Sequence, residues 1–353
     1  MRKKELTSLM ITVIVIKMLL SYPVSAVKNA GQAAWIEILY ASVLALALFF
    51  ITAKVYRLKK DLITIAETVG KKPLKIIVGL VIFLILLLNF SSTARIFPES
   101  VKVILLQNDR IENIIIGFAV VTVIGAYMGI KSLSRVNFMF LPVAGIVFAG
   151  FLLLLFPYYK IQNIMPILGE GAKPIFVNGI SSLSIFSDII LLNILMPYTK
   201  NLNLAKSGIK KGLIIAAAVA FITVLAYCLA YEYPASEDYM LPMYQLMKMI
   251  HISNFFSRFE AFFQFIWSIL IFLYSSIYVF AMCAVLQETF SLKYSKPLII
   301  PITLISTAIA RLPGSVSDTV KFTELVSVIQ VPIVFLLPIA LGLLSLKYDR
   351  RQQ

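Results

Sequence analysis

The chain has 353 residues, 60% hydrophobic and 14% charged, with 32 Lys and Arg against 17 Asp and Glu and a formal net charge of +15. This composition leaves too little polar surface for a soluble protein of this length, so a soluble enzyme or a soluble binding module is excluded. The cations flank apolar runs on alternating sides, as membrane topology demands, and the basic balance therefore does not signal a nucleic-acid partner.

Crossing a hydrocarbon core roughly 30 Å thick takes about 20 helical residues, and about ten runs qualify. In chain order they are Leu6 to Val27, Ala34 to Ala53, Ile76 to Phe97, Ile111 to Ile130, Val136 to Pro157, Ile180 to Tyr198, Gly212 to Tyr231, Phe259 to Leu286, Leu298 to Ala310 and Phe322 to Leu346. The ninth is short and the eighth long. The runs are continuously apolar instead of alternating, which predicts spanning helices that satisfy their own backbone and not a barrel. The expectation is an all-α, multi-pass integral membrane protein with one domain over residues 1–353.

Orientation follows from Lys and Arg. With the N-terminus inside, Arg2, Lys3, Lys4, the basic segment Lys54 to Lys75, Lys131, Arg135, Lys206, Lys210, Lys211, Lys347 and Arg350 all fall on one side, which predicts cytoplasmic termini. Arg2-Lys3-Lys4 before an apolar run resembles a signal peptide, but no small-residue cleavage site follows and the next span begins at once, so the first span should be retained. Cys228 and Cys283 lie within spans without metal-ligand spacing and read as packing residues. The single His251 reads as an interfacial loop residue, and no cofactor is expected.

Two spans are poorly made as simple helices. In the first, Pro23 within Ser21-Tyr22-Pro23-Val24-Ser25 lacks an N–H and clashes with the carbonyl of Leu19. In the sixth, Ser184-Ile185-Phe186-Ser187-Asp188 continues a serine-rich stretch that contains an acid. Open backbone at this depth survives only beside protein or a water-filled cavity. Spans one to five, about 6–157, and six to ten, about 180–346, form halves that start on opposite sides, so a repeat between them is inverted and two broken helices can meet near the midplane around a ligand. The alternative is a mere kink at Pro23 and serines bonded back to their own helix.

Lys17 and Asp188 each lie about 15 to 17 Å from a span end. An ionised group there costs roughly 2.5 to 3.5 kcal/mol on insertion scales, so each should face the bundle interior and find a partner. A responsive pair beside the breaks and a static salt bridge or snorkelling lysine are both open. Glu37, Arg95, Glu99, Arg258, Glu260, Glu288, Arg311 and Glu324 lie near span ends, where interfacial placement accounts for them. The outer segment Glu232 to Ser257 contains an apolar stretch from Tyr239 to Met247 that suits a short helix, either a lid or a piece buried at the interface. No nucleophile, acid and base are gathered in a motif and no Gly-rich phosphate loop is present, so the chain is not read as an enzyme.

The runs NIMPILGEG at Asn163 to Gly171, MPYTKN at Met196 to Asn201 and RFEAFFQFIW at Arg258 to Trp267 resemble, in order and spacing, the spore germination permeases. These are the B subunits of nutrient germinant receptors, a branch of the amino acid-polyamine-organocation superfamily. The resemblance covers essentially the whole chain. It implies two inverted five-helix repeats in which unwound parts of helices 1 and 6 face a small nutrient ligand, an amino acid, and helices 3 and 8 wall it. Carried over by position, the breaks are Tyr22, Pro23, Val24, Ser25 and Ser184, Ile185, Phe186, Ser187, Asp188; the wall candidates are Asn89, Ser91 and Ser92 on helix 3 and Tyr274, Ser275 and Tyr278 on helix 8. The family often has glycine followed closely by glutamate in helix 6, where this chain has Ser187-Asp188. The resemblance also implies partner A and C subunits and a place in the spore inner membrane or cell membrane. An ordinary proton-coupled amino acid transporter is the alternative, since the same pocket serves both.

Overall fold

The computed structural model describes residues 1–20, 22–55, 61–169, 171–199, 201–239, 241–250 and 259–352. Ser21, Arg57, Lys59, Lys60, Glu170, Lys200, Met240, His251 and Arg258, all invoked above, lie outside the described residues.

The first expected span is helical on both sides of Ser21, as α1 (Lys3–Leu20) and α2 (Tyr22–Ala30), with Pro23 in the second. A 3-10 turn over Gly31–Ala33, begun by Gly31 at φ +56°, leads into α3 (Ala34–Val55). Next comes α4 (Leu62–Ile104), capped by the Asp61 carboxylate, which accepts from the Thr64 amide at 2.8 Å. It is interrupted at Gly70 and at Lys71, which has φ +57°. The stretch before this break belongs to the basic segment Lys54 to Lys75 and the stretch after it to the third span.

The fourth and fifth expected spans are joined in α5 (Ile111–Leu154). The polar link Lys131 to Arg135 is itself helical, and the chain bends at one residue, Gly129, whose φ of +79° and ψ of 160° suit a residue without Cβ. The sixth span is the least regular. It runs through a π turn (Pro174–Asn178), a 3-10 stretch (Ser181–Phe186), α6 (Ile189–Leu195) and a 3-10 turn (Met196–Tyr198). Then follow α7 (Leu202–Ala230), a short outer α8 (Pro242–Lys248), α9 (Phe259–Phe290), α10 (Ile299–Ala310) and α11 (Val316–Gln352).

Among the described residues, 7 segments are long and apolar enough to cross a membrane by length and composition. The gap from the sequence count has three sources. Lys3, Lys4, Glu5 and Lys17 place four charges in α1; α10 has 12 residues, about 18 Å of helix; and α5 with the turn after it counts once although Gly129 divides it.

α1 packs along α7, α3 also contacts α7, and α4 lies against α9 and α11. The α1–α7 approach depends on small residues: a Cβ built on Gly212 would sit 2.6 Å from the Met10 Cβ. Gly212→Leu should therefore force the helices apart at a cost of about 1–3 kcal/mol, read as a lower melting temperature and folded yield in detergent; unchanged values would show that the interface gives way freely. Phe97 links three helices, its ring centroid 5.5 Å from Phe118 of α5 and 5.6 Å from Phe272 of α9. The opposite side of α5 carries Ile124, Met139, Ile146 and Leu153, exposed by 59% to 75%, as expected of a lipid-facing surface.

Candidate functional site

Where α1, α2 and the Ser181–Phe186 stretch meet α4 and α11, a cavity of about 360 Å³ opens. Among the sequence candidates, Tyr22 and Ser25 of α2, Asn89 and Ser92 of α4, and Ser184 and Ile185 of the 3-10 stretch line it, together with Lys17 of α1. Local structure accounts for this. A 3-10 stretch leaves backbone groups without the partners an α-helix would supply, and such groups persist in a membrane only where protein or a cavity satisfies them. The Ser184 carbonyl accepts from Gln330 Nε2 of α11 at 3.5 Å, and Gln330 Oε1 accepts from Asn89 Nδ2 at 2.7 Å. One side-chain relay thus ties the break to α4 and α11.

The remaining candidates lie outside the lining. Pro23 and Val24 are buried on another face of α2, and Phe186 is a fully buried core residue. Ser187 and Asp188 lie behind the cavity, reached from it through Lys17. The Lys17 ammonium is 2.8 Å from Asp188 Oδ1 and donates to Ser187 Oγ at 2.9 Å. Tyr278 of α9 donates to the same Asp188 oxygen, and the Tyr274 ring lies tilted against Tyr278 at 4.6 Å between centroids. Ser275 is fully buried nearby in sequence, and Ser91 bonds back to the Leu87 carbonyl at 2.8 Å. Helix 8, expected as a wall, instead backs Asp188, because α9 is packed between α4 and α5 and sends its tyrosines toward the acid.

Several lining residues were not singled out in the sequence. Thr323, Glu324 and Ser327 come from α11, Lys28 and Asn29 from α2, and Thr93 from α4. The available signal was polar residues spaced along the first turns of the last span, which interfacial placement seemed to absorb. That placement fails for three charges. Glu37 has no solvent exposure; its Oε1 accepts from Ser182 Oγ and from Asn29 Nδ2 at 3.2 Å. Arg95 and Glu99 pair at 3.0 Å with side chains only 11% and 13% exposed. α8 buries Met243, Leu246 and Met247 and contributes nothing to the cavity lining, which favours packing over a lid. Cys228 and Cys283 are free and buried.

Chemically, the cavity sets the ammonium groups of Lys17 and Lys28 and the carboxylate of Glu324 around a floor of hydroxyls and amides. Such a surface can hold both ends of a small zwitterion, the carboxylate on the cations and the amine on Glu324 or on carbonyls of the break.

Comparison with known proteins follows the same direction. The family described as spore germination protein matches residues 1–319. Spore germination protein B2 of Bacillus subtilis (strain 168) is 23% identical over 252 residues, 70% of this chain and 68% of the relative. Spore germination protein YndE of the same organism is 24% identical over 326 residues, 90% of this chain and 88% of the relative. Among solved structures, Mhp1, a nucleobase-cation-symport-1 family transporter in a closed conformation with bromovinylhydantoin bound, superposes with a TM-score of 0.67 at 13% identity, covering 91% of this chain and 74% of its own. A manganese transporter mutant of Eremococcus coleocola gives 0.59 at 14% identity, covering 98% and 76%. The shared architecture is the amino acid-polyamine-organocation type of transporter fold, all-helical and multi-pass.

Proposed function

The chain belongs to the spore germination protein family, and from that premise we propose that it is the B subunit of a germinant receptor, sensing a small nutrient in the cavity beside its irregular sixth span. The nutrient is an amino acid, and the signal passes to partner A and C subunits. The observation that carries this reading is the composition of the cavity: Lys17, Lys28 and Glu324 beside hydroxyls and amides around about 360 Å³, a volume and polarity suited to a zwitterion of amino-acid size. A ligand signals only if it binds one conformation better than another, and the 3-10 segment around Ser184, tied to α11 through Gln330, is the element whose arrangement a ligand can bias. On this reading the chain sits in the spore inner membrane or the cell membrane, both termini are cytoplasmic, the halves 6–157 and 180–346 are the inverted repeats, and no reaction is catalysed.

Proton-coupled amino acid transport is the second reading, favoured by the fold shared with a symport-family transporter. A panel of amino acids, sugars and nucleosides would be tested for germination in spores with and without the chain, beside uptake of the labelled compounds by proteoliposomes of the purified protein. A response to an amino acid without accumulation above empty liposomes is expected. Accumulation would move the assignment to transport, and absence of any response or binding would leave only a scaffold role.

A further inference from the structure

Among the described residues, Glu37 and Asp188 are the buried acids, and Glu37 has no part in the cavity lining. It lies in the first turn of α3 with no solvent exposure, beneath the part of the cavity wall made by Asn29, Ser181 and Ser182. Both of its donors, Ser182 Oγ and Asn29 Nδ2, serve Oε1; Oε2 is sealed from solvent and has no hydrogen-bond partner among the described residues. Asn29 Nδ2 also donates to Ser181 Oγ at 3.3 Å, so a single carboxyl group organises the contact between α2, α3 and the helix break.

Tyr22 of α2 and Cys228 of α7 lie within electrostatic reach of Glu37, and neither carries a positive charge. Lys28 of α2 and Glu324 of α11 line the cavity on the far side of Asn29 and Ser182. Among the described residues, the ion pairs are Lys17–Asp188, Lys75–Glu67 and Arg95–Glu99, and none involves Glu37. A carboxylate sealed in protein without a cation bears a desolvation cost of several kcal/mol that two neutral donors on one oxygen do not offset. A proton on Oε2 removes that charge and needs no additional room.

We propose that Glu37 is a proton-binding site that holds the cavity wall closed: neutral in the described conformation, it keeps Asn29, Ser181 and Ser182 docked on α3, and its ionisation releases them. The step is an ionisation only. The carboxylic acid loses its proton to water in the cavity, and the resulting carboxylate draws water or the Lys28 ammonium inward past the Asn29–Ser181 contact. The site needs no nutrient and is independent of the nutrient-sensing reading.

The test uses the full chain in liposomes with Cys228→Ala and Cys283→Ala, a reporter Ser181→Cys, and either Glu37 or Glu37→Gln, which keeps the acceptor oxygen but cannot ionise. Labelling by a membrane-impermeant thiol reagent is followed from about pH 5 to about pH 9, and dividing the Glu37 rate by the Glu37→Gln rate removes the titration of the thiol itself. The ratio is expected to rise about fivefold or more with pH. A flat ratio would overturn the proposal, as would a ratio that changes on replacing sodium by choline at fixed pH, which would mean a metal cation at Oε2. If Glu37→Gln does not insert, infrared spectra decide. A protonated-carboxyl carbonyl band at neutral pH that moves in Glu37→Asp supports the site, and no such change between the two proteins removes it.

Discussion

Lys17→Ala and Asp188→Ala should each cost about 3–5 kcal/mol of stability, while the double variant should lose clearly less than the sum of the two. The reason is asymmetric desolvation. Asp188 is 1% exposed and Lys17 16% exposed, so deleting the lysine leaves a carboxylate whose remaining donor is Tyr278, and deleting the acid leaves an ammonium facing the cavity with Ser187. The survivor is in each case a charge with no counter-ion in a low-dielectric interior. Removing both leaves hydroxyls that can bond to one another or to cavity water. Membrane-inserted yield and thermal unfolding in detergent for the two single variants and the double variant would measure the coupling. Additive losses would mean that the 2.8 Å contact contributes little to stability.

Ser25→Phe and Ser184→Phe should each raise the nutrient concentration for half-maximal response by tenfold or more, equivalent to about 1.4 kcal/mol of lost binding, with folded yield close to that of the parent chain. Both serines line the cavity, so an aromatic ring enters open space where a ligand would sit instead of a packed helix contact. Phe186 provides the contrast. It is fully buried, and Phe186→Ala should lower folded yield at about 3–5 kcal/mol of stability, the cost of an emptied core position. Dose-response curves measured beside protein quantification separate the two effects. If the serine variants leave the curve unmoved, the cavity is not the nutrient site.

The spans and the matched depths of Lys17 and Asp188 were legible from the chain, because hydrophobic run length is set by bilayer thickness and depth along a helix follows from counting residues at a fixed rise. The serine run around Ser184 marked the irregular sixth span for a similarly local reason: hydroxyls that compete for carbonyls act within one turn. The membership of the cavity wall was not legible in the same way. A transmembrane helix is apolar around most of its circumference, so its sequence says little about which face meets which neighbour. Tyr274, Ser275 and Tyr278 were assigned to the wall by position, yet the packing of α9 between α4 and α5 turns the tyrosines onto Asp188, and the wall is completed by Thr323, Glu324 and Ser327 of α11. Gly129 likewise separates the fourth and fifth spans at a single residue, since only the backbone shows that Lys131 to Arg135 stays helical. Glu37 marks the boundary most clearly: one turn into α3 it looks interfacial by count, but α2 and the Ser181–Phe186 stretch fold over it and exclude water. Depth was a property of the sequence; azimuth and enclosure were decided by which helices came together.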